Sequence, residues 1–337
     1  MVWIALSAAL LASGTASAPM NDETVAPVVA PQAGEVVAAA TEAAEVPVID
    51  PVAMQIAMEV ERYRRMTVPV TIGGEGPFAF MVDTGAQATV LSIALADQLQ
   101  LHDRELATLV AMASTREVET TMVPDFVLGD RTMTIRTAPL VDGAHIGGAD
   151  GILGLDALQD QKVLLDFEAG TMHVLDSLPQ GATTYDIVVR ARERLGQLII
   201  HTAEIDGIRV DVIVDTGAQG SVGNMELERR LRRRQELADA TMTDVNGVTV
   251  SGATRIARRL QLGRVFVNNV VVSFTDSPTF ESLDLNDRPA LILGMSELRI
   301  FQRVAIDFRT RRVLFDLPGD VPLDAAFRFN RRASRLN

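Results

Sequence analysis

Hydrophobic and polar residues alternate in short runs along most of this chain, the period of half-buried β-strands. Two stretches share a pattern. "VPVTIGGEGPFAFMV" (68–82) and "IHTAEIDGIRVDVIV" (200–214) each read as a strand, a turn and a second strand. The turns, Gly73-Gly74-Glu75-Gly76 and Asp206-Gly207, have hairpin chemistry. Each second strand ends in an apolar run, Phe78 to Val82 and Val212 to Val214, as expected of a strand covered on both faces. A helical stretch follows each, "SIALADQLQL" and "MELERRLRRR". Further turn signals stand at Gly129-Asp130 and Asn246-Gly247. The pattern predicts an all-β protein with a few short helices.

The similarity between the two stretches resumes downstream. "DGILGLDALQDQKVLLDFEAGTMHVL" lies over "ALILGMSELRIFQRVAIDFRTRRVLF". Ile152-Leu153-Gly154 aligns with Ile292-Leu293-Gly294, and after a one-residue gap Asp166-Phe167 aligns with Asp307-Phe308. An internal repeat on this scale implies two homologous lobes, 56–180 and 181–318, joined by "DSLPQGATTY" (176–185).

Outside the repeat, residues 1–18 run from apolar to small residues without a charge. That is the form of a signal peptide, and an uncleaved segment would act as an anchor. Residues 19–55 are rich in Ala, Val, Pro and Glu and read as a disordered acidic linker, or as a pro-segment. Residues 319–337 form a basic tail. The expected location is therefore periplasmic or otherwise extracytoplasmic, with membrane attachment only through the first segment.

The net charge of −13 includes six acidic residues before position 51, which leaves −7 for the rest. That balance argues against nucleic acid as a partner. The run from Arg229 to Arg234 reads as the wet face of a helix. There is no Cys, and the four His are widely spaced, so thiol chemistry is excluded and no metal site or cofactor is expected.

The candidate chemistry lies where the repeats agree most closely. "VDTGAQ" occurs at Val82–Gln87 and again at Val214–Gln219. A carboxylate at the end of a buried strand is costly unless it is hydrogen-bonded. For a single copy, an Asp capping its own turn is explanation enough. Two copies, each followed by ILG after 71 and 79 residues, ask for more. Lobes placed face to face would bring Asp83 and Asp215 together. Two carboxyls near contact share one proton, so one is an acid while the other is a base. Such a pair can activate a water toward a carbonyl carbon and protonate the leaving nitrogen.

These residues resemble the pepsin- and retropepsin-type aspartic peptidases. The matching positions are Asp83-Thr84-Gly85-Ala86 with Gly154 of the first ILG, and Asp215-Thr216-Gly217-Ala218 with Gly294 of the second. The resemblance implies two retropepsin-like lobes in a pseudo-twofold arrangement. It gives the chemistry to Asp83 and Asp215, hydrogen bonds across the pair to Thr84 and Thr216, and the site floor to Gly85 and Gly217. Ala86 and Ala218, and the absence of Tyr from the candidate flaps, resemble the retroviral branch and a fused, single-chain bacterial relative of it. One departure is matched in both lobes. Retroviral enzymes have an acidic residue after the Ala and an Arg after the ILG-type glycine. Here those positions are Gln87 and Gln219, then Leu155 and Met295. Another way of packing the site is expected.

The family covers its cleft with β-hairpin flaps. Candidates are Met112–Met122, with Ser114 and Thr115, and Thr243–Ser251, with Val245, Asn246 and Gly247. Flaps of this kind would bind an extended protein or peptide substrate by strand addition. The expectation is an aspartic endopeptidase acting as a monomer with an internal pseudo-dimer. The rival is a catalytically silent peptide-binding module on the same fold.

Overall fold

A computed structural model describes residues 2–4, 8–9, 67–175, 185–231 and 235–318. The acidic linker 19–55, the first part of the expected first lobe (56–66), most of the lobe connection (176–184), Arg232–Arg234, the tail from 319, and all of residues 1–18 except 2–4 and 8–9 lie outside the described residues.

The strands are β1 (Val2–Ile4), β2 (Ala8–Ala9), β3 (Thr67–Ile72), β4 (Glu75–Val82), β5 (Val90–Ser92), β6 (Glu105–Val110), β7 (Thr115–Leu128), β8 (Arg131–Val141), β9 (Gly151–Leu153), β10 (Lys162–Asp166) and β11 (Thr171–Leu175). They continue with β12 (Ile187–Arg190), β13 (Arg192–Arg194), β14 (Gln197–Ile205), β15 (Ile208–Val214), β16 (Ser221–Gly223), β17 (Gln235–Asp244), β18 (Thr249–Leu262), β19 (Val265–Phe274), β20 (Ala290–Leu293), β21 (Arg303–Asp307) and β22 (Arg312–Asp316). The repeat is visible in this order, because β3 to β11 correspond one by one to β14 to β22.

Each lobe folds around its own barrel-like sheet. The first has the order β1-β6-β7-β3-β4-β9-β5-β8, and β7 also pairs with β8. The second has the order β13-β14-β15-β20-β16-β19-β18-β17-β2, and β14 also pairs with β18. The same crossing recurs at the centre of both. β4 runs parallel to β9, with Val82 opposite Leu153, and β15 runs parallel to β20, with Val214 opposite Leu293. Parallel neighbours need a long connection. Here the connection is the flap hairpin and the strand after it, so ILG returns to the Asp turn only after seventy-odd residues.

A third sheet, β11-β10-β21-β22-β12, joins the lobes. Across its centre β10 and β21 pair antiparallel, Val163 opposite Ile306 and Leu165 opposite Val304. The ammonium of Lys162 lies 3.2 Å from Asp307. The aligned Asp-Phe positions of the repeat end these two strands. One apolar core runs through both lobes and includes Val82, Leu153, Val214 and Leu293. Each fully buried aliphatic side chain there contributes about 1.5–3 kcal/mol.

The two helices expected after the turns are present but short. Ile93–Gln98 is capped by Ser92, whose hydroxyl accepts from the Leu95 amide at 3.1 Å, and it buries Leu95 and Ala96. Met225–Leu231 is capped by Asn224, which accepts from the Leu227 amide at 2.9 Å, and it buries Leu227 and Leu231. Arg229 and Arg230 pair with Glu226 on its exposed side. Among the described residues no helix is long and apolar enough to cross a membrane.

Candidate active site

The two Asp turns meet between the lobes. Asp83 and Asp215 each leave their strand with the amide bonded to the ILG strand, to Leu153 O and Leu293 O, both at 3.0 Å. Neither side chain has any exposure to solvent. One oxygen of each is held by its own turn. Asp83 Oδ1 accepts from the Gly85 and Ala86 amides at 2.8 and 2.9 Å. Asp215 Oδ1 accepts from those of Gly217 and Ala218 at 2.8 and 3.2 Å. The turn-capping explanation therefore holds locally for both residues, but it covers only one oxygen of each.

The threonines tie the turns together. Thr84 Oγ1 donates to Val214 O at 2.8 Å and accepts from the Thr216 amide at 3.1 Å. Thr216 Oγ1 does the reverse, donating to Val82 O at 2.7 Å and accepting from the Thr84 amide at 3.1 Å. Each bond is worth about 1 kcal/mol net, and leaving such buried groups unpaired costs about 1–3 kcal/mol apiece. The reciprocal set fixes one carboxyl relative to the other.

Gly217 shows how close the turns are. A methyl group on its α-carbon would stand 2.4 Å from the Asp83 carboxyl carbon. No side chain fits there. The glycines of the two ILG strands are constrained in the same way. A β-carbon on Gly154 would meet Ala88 C and O at 2.4 Å, and one on Gly294 would meet Gly220 O at 2.4 Å.

The environment sets the proton count. Burial, then the charge of Asp215, then a hydrogen bond with that side chain push the Asp83 carboxyl well above the usual carboxylate range. The turn amides pull it only partway back. A buried pair of this kind holds one proton between its members.

The missing ion pair is replaced by a hydroxyl and a carboxyl. In lobe 1, Thr89 Oγ1 accepts from the Gly154 amide at 3.2 Å and donates to Asp156 at 2.6 Å. In lobe 2, Ser221 Oγ accepts from the Gly294 amide at 3.2 Å and donates to Glu297. Burial raises both carboxyls, that of Glu297 to about 7. The Gln87 side chain turns elsewhere and donates to Leu195 O of the opposite lobe at 2.9 Å. The backbone carbonyls of Gln87 and Gln219 accept from the Asp156 and Ser296 amides at 3.2 and 2.8 Å. A further glutamine, Gln197 of β14, donates to Gly85 O at 2.7 Å and supports the first turn from the second lobe.

Two hairpins close over the turns. The first is β6–β7, and its tip is Ala111 to Ser114. The candidate range Met112–Met122 thus covers the tip and part of the returning arm, where Thr115 begins β7, and leaves out the outgoing arm β6. The second is β17–β18, and its tip holds Val245, Asn246 and Gly247 within the candidate range. The tips bond to each other. Asp244 Oδ2 accepts from the Ser114 hydroxyl at 2.6 Å and the Ala113 amide at 3.2 Å, while Asn246 Nδ2 donates to Ser114 Oγ at 2.9 Å. The other oxygen, Oδ1, accepts from the Asn246 and Val248 amides, both at 3.0 Å, and so closes the turn of the second tip.

Apolar residues cross over as well. Met112 of the first tip is buried with Ala218, Val222 and Ile292 of lobe 2. Val245 of the second tip is buried with Ala86, Val90 and Ile152 of lobe 1. Met112 and Asp244 fall inside the candidate flap ranges, but their contacts across the lobes, and the roles of Asp156, Glu297 and Gln197, carry no signal in the sequence, because each acts through a partner distant along the chain. Thr89 and Ser221 left one faint trace, a hydroxyl six residues after the Asp in both repeats. Among the described residues no group of three or more His, Asp or Glu side chains could hold a metal ion.

Three solved structures are among those similar to this chain. A retropepsin-like aspartic protease from Rickettsia conorii is 22% identical and covers 39% of this chain and 89% of its own, with a TM-score of 0.29. Basic 7S globulin from soybean is 11% identical over 74% of this chain and 90% of its own, with a TM-score of 0.37. Conglutin gamma from lupine seeds is 11% identical over 75% of this chain and 95% of its own, also with a TM-score of 0.37. No curated protein matches the chain. The aspartyl protease family model matches it twice, over residues 68–157 and 201–296. Each match spans one Asp turn together with its ILG glycine, so the chain belongs to the aspartyl protease family, with two copies of the family's repeat in a single polypeptide.

Proposed function

We propose that this protein is an aspartic endopeptidase in which Asp83 and Asp215 hydrolyse a peptide bond together. The observation that carries the reading is the reciprocal Thr84–Thr216 bonding, which sets two fully buried carboxyls on matching turns against each other. A family fold alone does not require activity; two intact turns and a shared proton supply what the reaction needs.

In this reading Asp83 holds the proton of the pair and Asp215 carries the charge. Asp215 takes a proton from a water as its oxygen bonds to the substrate carbonyl carbon. Asp83 gives its proton to the carbonyl oxygen. In the second half the carbon–nitrogen bond breaks, the leaving nitrogen is protonated through the pair, and the original count of one proton is restored. Thr84, Gly85, Ala86, Thr216, Gly217 and Ala218 hold the carboxyls in place, and Gly154 and Gly294 support the turns from behind. The substrate is an extended protein or peptide lying under the two flaps, with Ser114, Thr115, Val245, Asn246 and Gly247 above it. The apolar-to-small pattern of residues 1–18 supports export to an extracytoplasmic compartment, where the chain acts as a monomer.

The test is cleavage of a peptide library by the full chain with and without a statine inhibitor, which mimics the tetrahedral state. Asp83→Asn and Asp215→Asn should each lower kcat by at least about a thousandfold, as for groups that act as one unit. Near-wild-type turnover by either variant would sink the shared-pair mechanism. Inhibitor binding by a wild type that cleaves nothing between about pH 3 and 8 would favour the silent peptide-binding module.

A further inference from the structure

Lobe 2 carries a charged cavity that the chemistry of the Asp pair does not use. It has a volume of about 380 Å³ and is lined by Arg192, Arg194 and Arg288 together with His201, Ile199 and Leu285. Two of the arginines are held in place. Arg194 Nη1 lies 3.2 Å from Asp284 Oδ2. Arg288 Nε lies 3.2 Å from Asp211 Oδ2, and its Nη2 donates to Asp284 O at 3.0 Å. The other oxygen of Asp211 lies 2.6 Å from His201 Nδ1, so one buried carboxyl anchors both the guanidinium and the ring. Arg192 differs, because among the described residues no carboxylate pairs with it. Glu193 also lines the cavity, but Arg311 faces it at 2.9 Å. Four arginines therefore stand against Glu193, Asp211 and Asp284, with one positive charge in excess.

The cavity is tied to both Asp turns. Ile199 and Leu285 share an apolar cluster with Val110 and Met112 of the first flap and with Ala218 of the second turn. Arg192 and Arg194 lie on β13, and the next residue, Leu195, accepts through its carbonyl from Gln87 beside the first turn. Asp211 precedes Asp215 by four residues on β15, about 13 Å along the strand. An extended peptide advances by the same rise per residue. A side chain that reaches the arginines thus belongs to a residue about three or four positions from the bond held at the Asp pair.

The two lobes differ here. Counted from each Asp turn, Pro69 and Ala79 stand in lobe 1 where His201 and Asp211 stand in lobe 2. Counted from each ILG glycine, Gly148 stands in place of Arg288. The strand register agrees with this alignment, since Thr67 faces Met81 as Ile199 faces Ile213.

We infer that the cavity is a subsite for a carboxylate side chain, so that the preferred peptide carries Asp or Glu about three or four residues to one side of the bond to be cut. This deepens the peptidase reading and rests on it for cleavage, but the binding preference stands on the cavity itself. A guanidinium presents a planar fork of donors that matches a carboxylate. Arg194 and Arg288 are already oriented by their own partners, so little freedom is lost when a ligand arrives. With the anchored arginine at one end of the cleft and glycine at the matching position of the other, an acidic residue also fixes the direction in which the peptide lies.

The experiment uses the full chain carrying Asp83→Asn, which prevents turnover. The probes are fluorescent octapeptides of Val, Ala and Ser in which a single Glu, or a single Gln, is moved through every position. At one position the Glu peptide should bind about tenfold more tightly than its Gln counterpart, the size of one charge-assisted hydrogen bond. Arg192→Gln breaks no ion pair; it should lower that preference at least about threefold and leave the Gln peptides unaffected. Adding Arg288→Gln should remove it. Equal binding of Glu and Gln at every position, an absence of saturable binding by all the peptides, or a preference that survives the double substitution would overturn the inference. Inorganic phosphate that binds while the peptides show no preference would do so too, by assigning the cavity to a free anion. Cleavage of the same peptides by the wild-type chain separates the two readings. If one Glu position governs binding and none of the peptides is cut, the subsite stands and the peptidase reading falls. If peptides are cut and charge matters at no position, the reverse holds.

Discussion

Glu297 makes the stability of the fold depend on pH in a calculable way. Its carboxyl lies behind the second Asp turn, holding Ser221, and burial raises it from 4.5 to about 7. Between those values the unfolded chain has lost the proton while the folded chain still keeps it. The folded state then binds more protons, so stability falls as pH rises. The contribution is fully present below about 4.5 and is lost by about 7. A shift of this size corresponds to about 3 kcal/mol. Glu297→Gln keeps an acceptor for Ser221 and removes the titration. Denaturant unfolding of wild type and variant should be compared at several pH values from 4 to 8. Asp83 and Asp156 are raised in the same direction, so the difference between the two proteins, and not either curve alone, isolates Glu297. The two should be about equally stable near pH 4, and the variant should be more stable by about 3 kcal/mol near pH 8. A difference that does not change with pH would refute the assignment of a neutral, buried Glu297.

Two further outcomes follow from the site. Gly217→Ala drives a methyl group into the Asp83 carboxyl; it should lower the unfolding free energy by about 1–3 kcal/mol and remove statine binding, whereas a variant that binds statine normally would show that the turns are not in contact. Asp244→Ala removes the acceptor for Ser114 and Ala113; hydrogen exchange at residues 111–114 and 245–248 should speed up by about tenfold or more while the barrel strands keep their protection, and unchanged exchange at the tips would argue against a latch.

The sequence showed the lobes because the repeat carries a pattern that can be read locally. Alternation gave the strands, and Asn246-Gly247 gave the second flap turn. The Asp turns could be paired because each has the same lead-in and the same distant ILG. The first flap was only half visible, since Ala111 to Ser114 lacks a glycine turn and owes its shape to contacts with Asp244 and Asn246. The replacement for the ion pair was equally hidden. Thr89 and Ser221 stand at matching positions, but their carboxyl partners do not. Asp156 lies two residues after Gly154 and Glu297 three residues after Gly294, the longer side chain making up the offset. Alignment of the repeats would pair neither. The exchange of Met112 and Val245 between lobes exists only in the folded molecule, because it joins residues more than ninety positions apart.

The contact between the flap tips bears on why both lobes belong to one polypeptide. Ser114 Oγ donates to Asp244 and accepts from Asn246, so the two hairpins bring unlike groups to the contact. A dimer of identical subunits closes through groups that complement themselves. Two copies of the first lobe would bring hydroxyl to hydroxyl with no carboxylate to receive them. Two copies of the second would set Asp244 against Asp244. Covalent fusion frees each half from having to match itself, and here the two tips are complementary.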